Sequence, residues 1–423
     1  MPKINLHVML AVYLNKRIYL RKQLMQGLLN NQKINFDNHP SIEGEIDPTQ
    51  RAWIEISGKA IETNVRQLRS KLKKNCEFMA VVKADAYGHD SKFVSENAIK
   101  GGASQLGVAT LKEGIKLRSF GINVPILILG NIYTKKDLLI CFENDLMPTI
   151  SSIRECLICN DIGKSHNLKF SLHLKVDTGM SRLGFQYDQF VQQFSNIRSF
   201  ENIDIKGIYS HLACADEDNA LDPKSYTELQ REKFLELLKL INIDKNKNVK
   251  IHLANSAGMF LGENFHFDMV RVGLSMYGYD PSMRINEKLF LKPALFLKAK
   301  VTFVRTIEKG VGVSYGNKFI SNRKTKLAVL SIGYADGIIR NLSGKISLIH
   351  NKKLYPQVGS ITMDQMMVDI TDSDDIKVGS TMLLLGSQGG KVISPADWAD
   401  KCNSIPWEIL CSFKNRLPRV QVD

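Results

Sequence analysis

The sequence predicts an α/β chain, an N-terminal (β/α)8 barrel followed by a mainly β C-terminal domain. Three observations carry this. Eight short apolar runs recur before about residue 290: FMAVVK, QLGVAT, VPILILG, LMPTI, FSLHLKVD, IKGIYSHL, VKIHLANS and DMVRVGLSMYG. Amphipathic segments such as TELQREKFLELLKLI separate most of them. Beyond that point the texture changes to strand-like runs with short turns, such as ALFLKAKVTFVRTI and TMLLLG. Continuous apolar runs between helices are what strands buried on both faces require, and eight of them match a closed barrel.

Residues 1–50 read as an extension and linker, because NNQKINFDNHPSIEGEIDPTQ has no sustained apolar period. Order begins at RAWIEIS, where Ala52, Ile54 and Ile56 alternate as a strand, itself a candidate partner for the C-terminal sheet. Ser57 then caps a helix bearing Ile61, Val65, Leu68 and Leu72 at helical spacing. The barrel is assigned to residues 51–292 and the β domain to 293–423. In the latter, SPADWADKC predicts a helix with Ser394 as N-cap and Pro395 at the first helical position.

Bulk properties narrow the classes. The 423 residues are 44% hydrophobic and 24% charged, a globular composition. The net charge of +14 is spread along the chain, without zinc-finger spacing or Arg-rich aromatic tracts, so it reads as solvated surface and no nucleic-acid partner is expected. Seven cysteines, an odd number in a long chain, argue for a reducing compartment and a cytoplasmic setting. The pair Cys156 and Cys159 stands without a second such motif and suits one apolar helix face. INLHVMLAVYL is shorter than the roughly 20 apolar residues of a membrane span, so no membrane association is expected.

Several residues sit where the strands end, the rim on which barrel chemistry gathers. Lys83 follows an apolar run, where burial would depress its pKa and ready it for a carbonyl. Tyr87 and Gly88 follow in a loop. KVDTGMSRLGF places Arg182 between two glycines, with planar donors for an anionic oxygen. His211 ends another run. HLANSAG supplies Asn255 and Ser256 at a predicted helix start, a setting that suits phosphate. Arg271 lies inside an apolar strand and, if buried, demands partners. A rim lysine, small residues of phosphate size and two arginines together describe a pyridoxal 5′-phosphate site.

The chain resembles the alanine racemase family of fold-type III pyridoxal-phosphate enzymes. The resemblance runs from about Ala52 to Val420. It is carried by AVVKADAYGHD, HLKVDTGMSRLGF, YSHLACAD, HLANSAG, VRVGLSMYG, VSYGNKF, IGYADG, GSITMDQMMVDIT and RLPRV in that order. It implies that Lys83 carries the cofactor and that Tyr87, Asn255, Ser256, Gly273 and Tyr277 surround its phosphate. It implies Arg182 beside the phenolic oxygen, His211 beneath the ring and bonded to Arg271, and Arg271 at the pyridine nitrogen. Tyr315 matches the second catalytic base. Arg182, Met363 and Asp364 match the substrate-carboxylate side. In the family the Tyr315-type and Met363-type residues come from the partner subunit, which implies a homodimer with shared sites. The implied substrate is a small molecule, L- or D-alanine, with D-alanine destined for peptidoglycan.

The resemblance fits a physical need. Racemisation removes a proton from one face of Cα and returns one to the other, so it needs two bases. A phenol with an ordinary pKa near 10 must be tuned for this, a role expected of Arg182 and the nearby imidazole. Arginine at the ring nitrogen keeps its proton and so limits how far charge spreads into the ring. Three positions depart from the family pattern or extend it: Asn415 where a tyrosine is common, Thr362 where a cysteine is usual, and Lys175 at a position carbamylated in some members. A same-fold racemase for serine or for several amino acids is the nearest rival. A non-catalytic cofactor-homeostasis protein would be a single domain, against which Tyr315 and the β domain argue. Borohydride reduction in the presence of pyridoxal phosphate is expected to fix the cofactor to Lys83; peptide mapping that finds it on another lysine would reject the assignment.

Overall fold

The computed structural model describes residues 41–43, 50–217, 219–243, 249–281 and 289–423. The remainder of the predicted extension and linker lies outside the described residues. Ser41–Glu43 (β1) is an exception within that segment, because it pairs in parallel with Arg419–Val422 at the chain's end. Three residues are too few to register as a period, so the sequence pattern did not reveal this strand.

Ala52–Ser57 (β2) is buried along its whole length. The Ser57 side chain accepts from Ala60 N and so caps the helix Gly58–Arg69, whose Ile61, Val65 and Leu68 face the core. The barrel strands follow: Glu77–Val81 (β3), Gln105–Val108 (β4), Ile126–Asn131 (β5), Met147–Ile150 (β6), Phe170–Lys175 (β7), Ile203–Tyr209 (β8), Lys250–His252 (β9) and Met269–Val272 (β10). All eight fall on the apolar runs. They form one parallel sheet in the order β10-β3-β4-β5-β6-β7-β8-β9. Two backbone bonds, Asp268 N to Ile251 O and Arg271 N to Ala254 O, join its ends. Met79, Leu127, Met147, Tyr209 and Met269 fill the interior, so the barrel is a packed core rather than a pore. Cys156 and Cys159 are both buried on the helix Ile153–Ser165, as their spacing predicts.

The second part is mainly β. Leu295–Ile307 (β11) is its hub, pairing antiparallel with β2, with Thr325–Leu330 (β14) and with Thr381–Gln388 (β18). Between them in sequence lie the hairpin strands Gly312–Val313 (β12) and Phe319–Ile320 (β13). Ser347–His350 (β15), Lys353–Val358 (β16) and Met366–Asp369 (β17) complete a ring, β11-β14-β17-β16-β15-β18, that returns to β11. Lys391–Ile393 (β19) flanks β18, and Arg419–Val422 (β20) lies beside β2. The strand at the start of the barrel's sequence therefore belongs to the β domain's sheet. The predicted helix forms over Pro395–Cys402 with a complete capping box on Ser394 and Asp397. A second short helix, Pro406–Cys411, was not predicted.

One continuous core links Ile61 and Val65 of the barrel to Leu297 and Leu385 of the β domain. Leu297 is fully buried at the register where β2 and β18 both meet β11. Leu297→Ala is expected to destabilise the protein by about 2–5 kcal/mol, read as a fall in the chemical denaturation midpoint.

Candidate active site

Lys83 does not end its strand. β3 stops at Val81, and Lys83 opens a single turn over Lys83–Gly88 that runs left-handed. Ala84, Asp85, Ala86 and Tyr87 have φ between 51 and 55°, and Gly88 has φ 78°. Each non-glycine residue there costs roughly 1–2 kcal/mol. Nothing in the residue types reveals such a turn; it corrects the loop expected for Tyr87 and Gly88.

The surrounding structure compels this conformation. Glu113 accepts from Ala84 N at 2.7 Å, and Asp85 accepts from Ser91 N at 3.1 Å. His89 Nδ1 donates to Tyr87 O at 2.9 Å, and Arg419 Nε donates to Gly88 O at 3.2 Å. A Cβ on Gly88 would lie 2.7 Å from Leu410 O, so helix Pro406–Cys411 packs directly on the turn. The turn aims Lys83 and Tyr87 into one cavity of about 590 Å³.

That cavity also collects Arg182, His211, Asn255, Ser256, Arg271 and Gly273. Lys175 lines it as well, so Lys83, Lys175, Arg182 and Arg271 face a space to which the lining contributes one acid, Asp216. Burial and then the Arg182 charge lower the Lys83 pKa. Burial, Arg271 and Arg182 bring Lys175 down to about 8. Arg182 is carried on a loop that Asp177 folds by accepting from Gly179 N and Ser181 N at 2.8 and 3.1 Å.

Among the described residues Arg271 has no carboxylate partner. Its Nη1 donates to His252 Nδ1 at 3.0 Å. Its Nη2 donates to His211 Nδ1 at 3.1 Å and to the carbonyls of Ser210 and Leu253 at 2.8 and 3.0 Å. His252 must then carry its proton on Nε2, which donates to His173 Nδ1 at 3.0 Å. The guanidinium thus fixes the tautomers of a line of imidazoles. Burial lowers the Arg271 pKa to about 10, which still leaves it charged at neutral pH.

Tyr209, which sequence reasoning passed over, anchors this network. Its ring stacks on His252 at 4.6 Å, and the Arg271 guanidinium lies 5.0 Å from its centre. Thr149 donates to Ile128 O, so the Tyr209 hydroxyl donates to Thr149 at 2.7 Å. Its position two residues before His211 was the available clue. Trp407 also lines the cavity and had no sequence signal, because the β domain's end delivers it.

The small residues form an anion cradle. Ser256 Oγ accepts from Gly273 N at 2.9 Å, and a Cβ on Gly273 would lie 2.4 Å from the Tyr87 hydroxyl. The predicted helix start here is only the short 3-10 turn Gly258–Leu261, held by Asn255 accepting from Gly258 N. Tyr277 stacks behind Tyr87 at 4.9 Å and donates its hydroxyl to Val81 O at 3.0 Å. It does not line the cavity.

Tyr315, Met363 and Asp364 lie elsewhere. They line a separate recess on the β domain, where Tyr315 is 74% exposed and Met363 53% exposed. Arg416 holds Asp364 at 2.8 Å. Thr362 turns its hydroxyl to Gln365 O, and Asn415 is exposed.

A barrel with a rim lysine, a ring of cations and a glycine-lined anion cradle defines a pyridoxal-phosphate enzyme of the barrel type. Comparison with known proteins narrows the class. The chain matches the alanine racemase N-terminal domain over residues 56–281 and the alanine racemase C-terminal domain over 294–421. It is 51% identical to alanine racemase of Prochlorococcus marinus, over 89% of this chain and 98% of that one. Among solved structures, alanine racemase of Clostridium difficile superposes with a TM-score of 0.81 at 33% identity, covering 89% of this chain and 97% of that one. The Bartonella henselae alanine racemase, solved with covalently bound pyridoxal phosphate, gives 0.78 at 32% identity, covering 88% and 100%. The chain belongs to the alanine racemase family, whose members are pyridoxal-phosphate-dependent isomerases.

Burial makes the imidazoles acid-sensitive. It lowers His89 to about 4 and His173 to about 3, and it holds His211 and His252 well below 6.5. Below pH 6.5 the unfolded chain takes up protons that these groups refuse when folded. Stability is therefore full above about 6.5 and falls as pH drops toward 4, by up to about 1.4 kcal/mol per pH unit for each imidazole. Urea midpoints measured from pH 7 to 4 should decline steadily over that window.

Proposed function

We propose that this chain interconverts L- and D-alanine with Lys83 and Tyr315 as bases on opposite faces of Cα, in a homodimer whose two sites each draw on both chains. The observation that carries the reading is the division of the machinery. The cofactor cavity holds Lys83, while Tyr315 and Met363 are presented outward on a different recess of the same chain. A second copy would bring the two sets together.

The cavity fits pyridoxal phosphate through its excess of cations and its glycine cradle. Ser256, Gly273, Asn255 and Tyr87 would hold the phosphate, Arg271 the ring nitrogen, Arg182 the phenolic oxygen, and His211 the underside of the ring. Tyr277 supports Tyr87 from behind. Bound pyridoxal phosphate supplies the electron sink that acidifies the Cα proton. The lowered pKa of Lys83 favours the neutral amine, which takes that proton on one face of Cα while the Tyr315 hydroxyl delivers one to the other. In the reverse direction Tyr315 takes the proton and Lys83 delivers one. Arg182, with Met363 and Asp364 of the second copy, orients the substrate carboxylate. Arg271 donates to the ring nitrogen and retains its proton, so less charge spreads into the ring and side reactions are limited.

All seven cysteines are free thiols, which fits a cytoplasmic setting. D-alanine made there would serve peptidoglycan synthesis. The reading is tested by assaying the purified protein with L- and D-alanine and with serine, with and without added pyridoxal phosphate. Cofactor-dependent turnover of alanine above serine is expected; faster serine turnover would reject the substrate. Mixing Lys83→Ala chains with Tyr315→Ala chains should restore roughly a quarter of wild-type activity, since half the dimers are hybrids with one intact site each. No recovery despite confirmed subunit exchange would reject the shared site.

A further inference from the structure

We infer that Ser360 is a positioning residue for Tyr315, acting with Ser314 as a reciprocal latch on the main chain that carries the phenol. The inference rests on the reading of Tyr315 as a base. The side chain of Tyr315 is 74% exposed, so the backbone sets its direction. That backbone sits at the tip of the β12–β13 hairpin in a conformation residues rarely hold. Ser314 has φ 67° and ψ −174°, a region used almost only by glycine. Gly316 follows at φ 74°, ψ 9°, and Asn317 at φ 44°.

Two hydroxyls secure it. Ser314 Oγ donates to Ser360 O at 2.8 Å, and Ser360 Oγ donates to Tyr315 O at 2.8 Å. Ser360 is 1% exposed, so water does not readily replace its hydroxyl. Gly359, at φ 70°, permits the approach: a Cβ there would lie 2.6 Å from Val313 O. The segment behind the latch is itself tied down. Gln357 Nε2 donates to the carbonyls of Val358 and Gly359, both at 2.9 Å. Ser343 accepts from Ile361 N at 2.9 Å. Two residues beyond Ile361 the same segment presents Met363. One hydrogen-bonded block therefore sets the two residues that the second copy's site would receive.

The test is Ser360→Ala in the full-length holoenzyme, compared with Tyr315→Phe and with the double variant. Losing one such bond should lower the occupancy of the latched conformer and kcat by about three- to tenfold, with KM little changed. The enantiomers have equal free energy, so kcat/KM must fall equally in both directions. With Tyr315 read as the base that takes the proton of L-alanine and Lys83 that of D-alanine, the step at Tyr315 should become limiting, so the α-deuterium isotope effect on L-alanine rises. D-alanine should exchange its α-hydrogen with D2O faster than it inverts. The double variant should match Tyr315→Phe. Losses that multiply, or isotope effects unchanged in Ser360→Ala, would overturn the inference. Amide hydrogen exchange across residues 312–320 gives a second measure, independent of chemistry. Faster exchange in Ser360→Ala supports the latch, and unchanged exchange overturns it. If Tyr315→Phe itself leaves the isotope effects unaltered, the reading of Tyr315 as a base fails, while the exchange measurement still reports on the latch.

Discussion

A buried guanidinium whose described partners are all neutral acceptors governs the barrel half of this protein. Arg271 is 4% exposed and meets two imidazoles and two carbonyls. A carboxylate would have neutralised it. Without one the charge persists, and every neighbour must turn a lone pair toward it. His211 and His252 are thereby held neutral in one tautomer, His173 is held in turn through His252, and Tyr209 is pinned between His252 and the Thr149 hydroxyl. After burial, the same uncompensated charge further depresses Lys175, and it adds to a cavity potential that attracts a phosphate-bearing ligand. A single replacement of acid by imidazole around one arginine thus reaches the proton inventory of most of the site.

The second constraint joins the two parts of the chain. The left-handed turn that carries Lys83 is costly by itself, and part of what holds it comes from the β domain. Arg419, 2% exposed, donates to Gly88 O and also to the carbonyls of Phe413, Lys414 and Leu417. Lys83 is therefore aimed in part by a residue more than 300 positions away in sequence. The β domain in this way serves the barrel of its own chain, while its Tyr315 recess faces outward. β2 lies outside the barrel and pairs with β11 and β20, with Ile54 opposite Arg419. A barrel without that shared sheet would lack the platform on which Arg419 is held.

Much of this was legible in order along the chain. The eight barrel strands announced themselves as continuous apolar runs because burial on both faces leaves no room for alternation. The Ser57 and Ser394 caps were readable because a short side-chain oxygen at a helix start has a local geometric purpose. The anomaly of Arg271 was visible because a cation inside an apolar strand requires an explanation; the resemblance implied its bond to His211, and its bonds to His252 and to the carbonyls of Ser210 and Leu253 were not visible, since strands and loops remote in sequence supply them. Trp407 and the Pro406–Cys411 helix left no mark. The helix packs on a turn built more than 300 residues earlier, and Trp407 lines the cavity that this turn faces.

The sequence by itself determined the element order, the barrel with its β domain, and the residue types available for cofactor and proton chemistry. Periodicity, capping and hydrophobicity are local properties that survive in one dimension. Tertiary structure alone decided the handedness of the Lys83 turn, the tautomers set by Arg271, the latch on Tyr315, and the separation of Tyr315 from Lys83 into different recesses. Each of these depends on a hydrogen bond or a steric limit between residues far apart in the chain. Positive φ at Ala84 or Ser314 is unfavourable locally and persists only where distant partners compel it.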